Sequence, residues 1–313
     1  MDYAIITEND ESKWEDQTGI LYHFPAKYKN ILTQGTKVIY YKGAIKNGKY
    51  IPKRLSKKPH YFGIAIIGEV YPDVNNKNQY FAELDDYIPF SEPIIFKEKD
   101  EYLEYVSKSN YWRDGVRNVT EEVYTKILSR TNLDIKSTHS GEIEVEIKEE
   151  TLPSLTVVSP KLANNLLSQK TTMGIGRSSK KSNRGNTFSK NAKKIGDRAE
   201  EIVFEYLKKC KMTNIRWLAK EGEKPGYDIS CFTPSGEKIY IEVKGTTTNK
   251  FDGFILTSNE LEASKDLGGK FFIYFVTECL STNPKIQPVQ NPYEKLKFNE
   301  WLKTPISYKV SFS

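Results

Sequence analysis

Hydrophobic positions in the C-terminal part of the chain recur at two different spacings. Between 197 and 209 they fall every three or four residues, which predicts an amphipathic helix that Asp197 would cap. Glu200 lies on the apolar side of this helix, one turn from Val203. A carboxylate directed toward a core needs a partner there, so we expect a polar group beside it.

The second spacing, of two residues, predicts a β-hairpin. Residues 228–232 alternate, a Pro-Ser-Gly turn sequence follows, and residues 238–244 alternate again. Glu242 and Lys244 therefore share one face of the returning strand. Because Asp228 opens the neighbouring strand, the three polar side chains can converge.

The stretch after the hairpin predicts a strand, a helix and a second strand. The strand would span 253–256, and the helix 258–267, with Ser258 as its cap and a Gly-Gly pair at its end. The continuous apolar run 271–276 is typical of a buried central strand.

Short alternating segments separated by Gly, Asn, Pro and Asp fill the N-terminal part of the chain. They predict strands at 38–41, 61–70, 79–84 and 92–96, followed by a helix at 120–133 that begins with Thr120. Short strands with few helices indicate a small curved sheet or barrel. The fold class of the whole chain is then α/β or α+β.

A connector is predicted between these two parts, which gives domains at 1–133 and 196–313 with a linker at 134–195. Acidic and apolar residues alternate from 142 to 150, as in an edge strand or a solvated acidic face. The segment 161–194 carries nine Lys and Arg residues and no acidic residue, a composition that cannot bury a core.

Composition limits the number of domains and the classes of protein to which the chain could belong. The 313 residues suffice for two cores, and a net charge of +6 with 20 tyrosines is compatible with nucleic-acid binding. No apolar run is long enough to span a membrane, and the first residues lack a signal-like core. The three cysteines are widely spaced, which predicts reduced thiols and a cytoplasmic protein.

Asp228, Glu242 and Lys244 are the residue types that metal-dependent phosphodiester hydrolysis requires. Two carboxylates and the Val243 carbonyl would hold Mg²⁺, with Mn²⁺ as an alternative. Lys244 would orient the attacking water or neutralise charge in the transition state. Glu200 would hold a metal-bound water or a second ion. The alternative is a solvated strand face, but the ordered combination of helix and strand residues favours catalysis.

This ordered set resembles the PD-(D/E)XK nuclease superfamily, with Asp228 and Glu242-Val243-Lys244 as the signature. Over about 196–280, the segments Gly-Tyr-Asp-Ile, Ile-Glu-Val-Lys-Gly and Phe-Ile-Leu-Thr-Ser-Asn-Glu-Leu are similar to the C-terminal domain of the NO VEIN protein. The resemblance implies a restriction-endonuclease-like α/β/α domain with a mixed sheet. Tyr227 stands where the superfamily pattern has proline. Glu260, in the last segment, is expected to touch the substrate backbone.

The N-terminal part resembles the EVE-like branch of the PUA superfamily, through Tyr22-His23-Phe24-Pro25 and the strands near 38–41 and 60–63. Such domains occur in modification-dependent restriction enzymes, so the resemblance implies a barrel that reads a flipped, modified base. Aromatic faces and polar edge groups would grip the base, whereas the alternative is ordinary aromatic core packing. The candidates are Trp14, Asp16, Tyr22, Phe24, Tyr41 and Tyr61.

Basic residues of both the N-terminal part and the connector are candidates for contacts with the DNA backbone. They are Lys27, Lys42, Arg113, Arg117, Lys180, Lys181 and Arg184. The connector would be either a tether that follows phosphates or a plain soluble linker.

These features predict a modification-dependent DNA endonuclease, similar to type IV restriction enzymes of phage defence. Its partner would be double-stranded DNA that carries a modified base. Two cuts on a duplex need two active sites, which favours a homodimer on DNA. The alternatives are a non-catalytic sensor of modified nucleic acid and a nuclease that acts on RNA.

Overall fold

The computed structural model describes residues 2–11, 14–137, 143–168 and 190–303. The predicted DNA-backbone residues Lys180, Lys181 and Arg184 lie outside these described residues. The chain forms two compact units. The first is built mainly from residues up to Pro153, and the second from Ser154–Ser168, Gly196–Thr246 and the residues from Lys250 onward.

In its described residues up to Pro153, the first unit is built on a six-stranded mixed sheet, accompanied by two short hairpins and one α-helix. Its strands are β1 (Tyr3–Thr7), β2 (Leu21–Pro25), β3 (Lys37–Lys42), β4 (His60–Pro72), β5 (Gln79–Ile95), β6 (Lys97–Glu98), β7 (Glu101–Tyr102), β8 (Val116–Val119), β9 (Leu133–Ser137) and β10 (Ile143–Ile147), and its helix is α1 (Glu121–Leu128). The sheet order is β2-β5-β4-β3-β1-β8, with β1 and β3 parallel and the other neighbours antiparallel.

The predicted strands at 38–41 and 61–70 are confirmed, but those at 79–84 and 92–96 are parts of one long strand, β5. Asp85 and Asp86 interrupt the apolar pattern, which predicts a turn. Pairing with β4 nevertheless continues past them through an irregular register, and Asp86 adopts a φ of 52°. A bulge therefore replaces the expected turn.

The predicted helix start at Thr120 is confirmed, because its side chain accepts a hydrogen bond from the Val123 N–H. The helix ends at Leu128, before the predicted end at 133, and Leu133 begins β9 instead.

The second unit is built on another six-stranded mixed sheet. Its strands are β11 (Lys161–Leu162), β12 (Thr213–Trp217), β13 (Ile229–Phe232), β14 (Lys238–Gly245), β15 (Phe271–Thr277) and β16 (Lys285–Gln290). Its helices are α2 (Lys190–Lys209), which belongs to this unit from Gly196 onward, α3 (Leu218–Glu221), α4 (Ser258–Leu267) and α5 (Pro292–Lys297). The order is β11-β16-β15-β14-β13-β12, and β14 and β15 run parallel at its centre.

The predicted hairpin at 228–244, the helix at 258–267 and the buried strand at 271–276 are confirmed as β13 with β14, α4 and β15. The predicted strand at 253–256 is wrong. The ring centroid of Phe254 lies 5.1 Å from that of Phe275, so its apolar side chain is partly buried by packing without strand pairing.

The connector predicted at 134–195 contains regular structure in its described residues. The alternating acidic segment forms β10, which pairs with β9, and Lys161–Leu162 joins the second sheet beside β16. The helix expected from Asp197 begins at Lys190. Lys and Ala favour helix without making an apolar stripe, so the periodicity did not reveal this first part.

Among the described residues, no helix is both long and apolar enough to cross a membrane. The fold class α/β or α+β is confirmed by the two mixed sheets and their helices. The PUA-like barrel and the α/β/α layering stay predictions.

Arg117, expected on the DNA backbone, is instead buried in the first unit with Glu104, and their side chains are 1% and 0% exposed. The Glu104 carboxylate accepts hydrogen bonds from Arg117 Nε at 2.7 Å and Nη2 at 2.9 Å. The hydroxyls of Tyr61 and Tyr111 each donate to it at 2.8 Å. Both charges are therefore satisfied inside the unit, and Arg117 is a structural residue.

We expect Glu104→Gln to destabilise the first unit by about 3–5 kcal/mol, because it leaves the Arg117 charge buried without a counter-ion. Urea unfolding measures this free energy. Glu98→Gln is the matched control, since Glu98 and Arg130 form an exposed ion pair and its loss costs under about 1 kcal/mol. Equal effects of the two substitutions would contradict the assignment.

Candidate active site

The polar cluster of the second unit begins next to the first residue of β13. The Asp228 N–H donates to the Ile241 carbonyl at 3.0 Å, and Asp228 Oδ2 accepts from the Val243 N–H at 2.7 Å. The Asp228 side chain thus replaces the next backbone partner of β14. This places its carboxylate beside the strand that carries Glu242 and Lys244.

Glu242 and Lys244 share one face of β14, as predicted, and contact each other. Lys244 Nζ lies 2.6 Å from Glu242 Oε1 and 2.8 Å from Glu260 Oε2. The side chains of Glu242, Glu260 and Lys244 are 6%, 15% and 18% exposed. One ammonium therefore serves two carboxylates in a largely buried setting.

Burial raises the pKa of Glu242 to about 9, and the negative charge of Asp228 contributes to this rise against the opposing effect of Lys244. The pKa of Asp228 is also raised by burial, although the Val243 N–H opposes this. Burial alone would lower the pKa of Lys244, but Glu242 and Glu260 raise it, so Lys244 stays protonated. It can act as a cation rather than as a base.

The donor chemistry of this cluster fits a divalent cation. Two buried carboxylates in such a setting gain from a shared cation, and carboxylate oxygens suit Mg²⁺. A strand residue directs its N–H and C=O to the same side. Since the Val243 N–H is directed to Asp228, its carbonyl is directed there too.

No group of three or more His, Cys, Asp or Glu side chains is placed to hold a metal ion within the described ranges. The candidate ligand set of the cluster accordingly consists of two carboxylates, Asp228 and Glu242, and the carbonyl of Val243.

Glu200, expected to hold a water or a second ion, makes a different contact. Its Oε2 accepts a hydrogen bond from the Trp217 indole Nε1 at 2.6 Å. This gives the carboxylate the polar partner that its position on α2 required. Its predicted catalytic role stays a prediction.

The first turn of α4 is fixed to the loop that carries Asp228. Asn259 Nδ2 donates to the Lys224 carbonyl at 2.8 Å. Gly226 adopts a φ of 93°, and a Cβ there would lie 2.5 Å from the Asn259 carbonyl oxygen. The loop and the helix therefore approach so closely that only glycine fits between them.

Glu260 is the site residue whose contact the sequence analysis missed. Thr257, rather than Ser258, caps α4 and forms a capping box with Glu260. The spacing Thr-x-x-Glu before a helix is the signal that could have located both residues. It would not have revealed the contact with Lys244, which depends on the packing of α4 beside β14.

The residues predicted for a base pocket fall into separate groups in the first unit. Tyr22 and Phe24 are 4% and 1% exposed and belong to the hydrophobic core. Tyr41 and Tyr61, at 3% and 0%, contact each other outside that core cluster, with ring centroids 5.5 Å apart. These four aromatic side chains are buried, which supports the alternative of core packing over a pocket.

The other two pocket candidates lie beside His23. The Trp14 ring packs edge-on against the His23 ring, with centroids 5.0 Å apart, and Asp16 Oδ1 accepts from the backbone N–H of His23 at 2.8 Å. Burial raises the pKa of Asp16 to about 7.

Three predicted backbone-binding residues of the first unit remain besides Arg117. Lys27 and Arg113 are exposed, as phosphate contacts require. Lys42 is held by acidic neighbours, with its Nζ 2.9 Å from Glu8 and 3.7 Å from Asp10. Its charge is therefore already compensated.

Comparison with known proteins bears mainly on the second unit. Residues 199–289 match the family model described as "Protein NO VEIN, C-terminal", a range that contains every residue of the cluster. This confirms the resemblance inferred for that part of the chain, while membership of the PD-(D/E)XK superfamily stays a prediction. None of the curated protein sequences matches the chain significantly.

One similar solved structure is the N-terminal domain of Staphylothermus marinus McrB. It aligns with a TM-score of 0.30 and 13% identity, over 41% of this chain and 93% of that one.

We expect Gly226→Ala to destabilise the second unit more than Gly236→Ala. Both glycines have a positive φ, which costs an alanine roughly 1–2 kcal/mol. Only at Gly226 does the new Cβ also meet α4, which adds about 1–3 kcal/mol. Urea unfolding compares the two variants, and an equal loss would show that α4 does not restrain the loop.

We expect Glu242→Gln to stabilise the second unit at neutral pH without divalent cations. The pKa of Glu242 rises from 4.5 to about 9 on folding. Because the unfolded chain releases this proton first, wild type becomes less stable as pH rises from 4.5 to about 9. The advantage of the variant should therefore grow with pH by at most about 1.4 kcal/mol per unit. Urea unfolding in chelator at several pH values measures it.

Glu237→Gln provides the control for that measurement, because Glu237 is exposed in the turn of the same hairpin. Its difference from wild type should not change with pH. If the stability difference between Glu242→Gln and wild type were also independent of pH, folding would not raise the pKa of Glu242.

Proposed function

We propose that the second unit is a Mg²⁺-dependent nuclease that hydrolyses the phosphodiester backbone of DNA. The observation that carries the proposal is the convergence of Asp228, Glu242 and Lys244 beside β14. The match of residues 199–289 to the nuclease-like NO VEIN C-terminal family supports it.

In this proposal the residues of the site have two roles, cation binding and stabilisation of charge on the phosphate. Asp228, Glu242 and the Val243 carbonyl would hold the cation, with Mn²⁺ as a substitute for Mg²⁺. When bound, the cation supplies the charge that polarises the phosphoryl oxygen and makes water more acidic. Lys244, kept protonated by its carboxylates, would stabilise the negative charge that develops on the phosphate.

The first unit is proposed to recognise a modified base in double-stranded DNA, which would make the protein a modification-dependent restriction endonuclease of phage defence. This part of the proposal is supported by the sequence resemblance at 22–25, 38–41 and 60–63. The burial of Tyr22, Phe24, Tyr41 and Tyr61 weighs against these four as the gripping surface. A homodimer on DNA would supply one site for each strand.

The test is a cleavage assay with Mg²⁺ on unmodified DNA, DNA with methylated or hydroxymethylated cytosine, natural phage DNA and RNA. We expect wild type to cut modified DNA and Lys244→Ala to lose at least about 100-fold in rate, as when one transition-state donor is removed. Lys238→Ala is the matched control, since Lys238 is an exposed lysine on the same strand. It should retain wild-type activity.

The other outcomes separate the alternatives. Binding of modified DNA without cutting identifies a sensor and rejects the nuclease. Equal cutting of all DNA removes the base-reading role, and cutting of RNA alone changes the substrate. Full activity of Glu242→Ala would reject the proposed site.

A further inference from the structure

We propose that Glu260 is a positioning residue that holds the Lys244 ammonium and keeps it from pairing with Glu242 alone. This inference rests on the nuclease function proposed above. It adds to the strand residues of the signature a carboxylate from helix α4, whose expected role was contact with the substrate.

The distances show how Lys244 is held. Its Nζ lies 2.8 Å from Glu260 Oε2 and 2.6 Å from Glu242 Oε1. A lysine side chain has a flexible stem, and a single surface ion pair does not fix it. Two short contacts from separate elements, β14 and α4, restrict it to one position. They also share its positive charge between Glu242 and Glu260.

Glu260 is itself held firmly enough to act in this way. Its Oε2 also accepts from the Thr257 N–H at 3.2 Å, and its own N–H donates to Thr257 Oγ1 at 3.3 Å. The neighbouring Asn259 bonds the Lys224 carbonyl, and Gly226 packs against the same turn. The position of Glu260 is thus tied to the loop that carries Asp228.

The charge of Glu260 can be removed without removing its capping role. In Glu260→Gln the side-chain oxygen can still accept from the Thr257 N–H, because glutamine also completes a capping box. Only the negative charge beside Lys244 is lost. Glu262→Gln makes the same chemical change on the same helix, at a residue whose side chain is 66% exposed and lies 3.6 Å from Lys265.

The first readout does not depend on cleavage. Full-length wild type, Glu260→Gln and Glu262→Gln are treated briefly with an amine-acylating reagent at one pH, and modification of Lys244 is measured by mass spectrometry. We expect Lys244 to react faster in Glu260→Gln than in wild type, and at the wild-type rate in Glu262→Gln. An unchanged rate in Glu260→Gln would overturn the proposal.

The second readout is cleavage of the DNA that wild type cuts best. A misplaced ammonium should lower kcat of Glu260→Gln by up to about 100-fold while KM changes little, because the residue acts on the transition state and not on DNA binding. Glu262→Gln should keep the wild-type kcat, and an unchanged kcat in Glu260→Gln would reject the positioning role.

The two readouts separate the two proposals. If wild type cuts no nucleic acid but Glu260→Gln still exposes Lys244 to the reagent, the nuclease function fails and the geometry of the ion pairs stands. If wild type cuts and Lys244 reacts equally in all three proteins, the nuclease stands and the role of Glu260 fails.

Discussion

Two carboxylates and one lysine held together away from water are the constraint around which the second unit is built. Burial raises the pKa of both Asp228 and Glu242, and the charge of Asp228 opposes ionisation of Glu242. Such a pair persists only where the surrounding structure is well packed. The buried strand β15, which lies parallel to β14, supplies that packing through Phe271, Ile273 and Phe275. The apolar strand β15 thus packs beside the part of β14 that carries Glu242 and Lys244.

Much of this arrangement could be predicted from local pattern. Alternation placed Glu242 and Lys244 on one face, and the turn sequence placed Asp228 beside them, because strand geometry follows directly from sequence spacing. The partner of Lys244 on α4 could not be predicted in this way. It depends on how a crossover helix packs on the sheet, which no local period encodes.

In the first unit, residue type and strand alternation predicted nucleic-acid contacts for residues that are buried. Tyr61, Tyr41 and Arg117 are residue types that nucleic-acid sites use, and alternation alone does not tell which face of a strand is covered. In the structure Tyr61 and Arg117 bind the buried Glu104 instead. A polar network inside a core and a polar surface for a ligand draw on the same residues, so only burial distinguishes them. The long strand β5 is a similar case, because a pair of aspartates can form a bulge as well as a turn.

One continuous stretch, from Asp228 to Glu260, contains all four polar side chains of the site, which are Asp228, Glu242, Lys244 and Glu260. This stretch comprises a hairpin, a crossover and one helical turn, and its strand β14 also pairs with β15. The outer strands β11 and β12 meet neither Glu242 nor Lys244 in the sheet register. The outer strands therefore contribute none of the four polar side chains of the site.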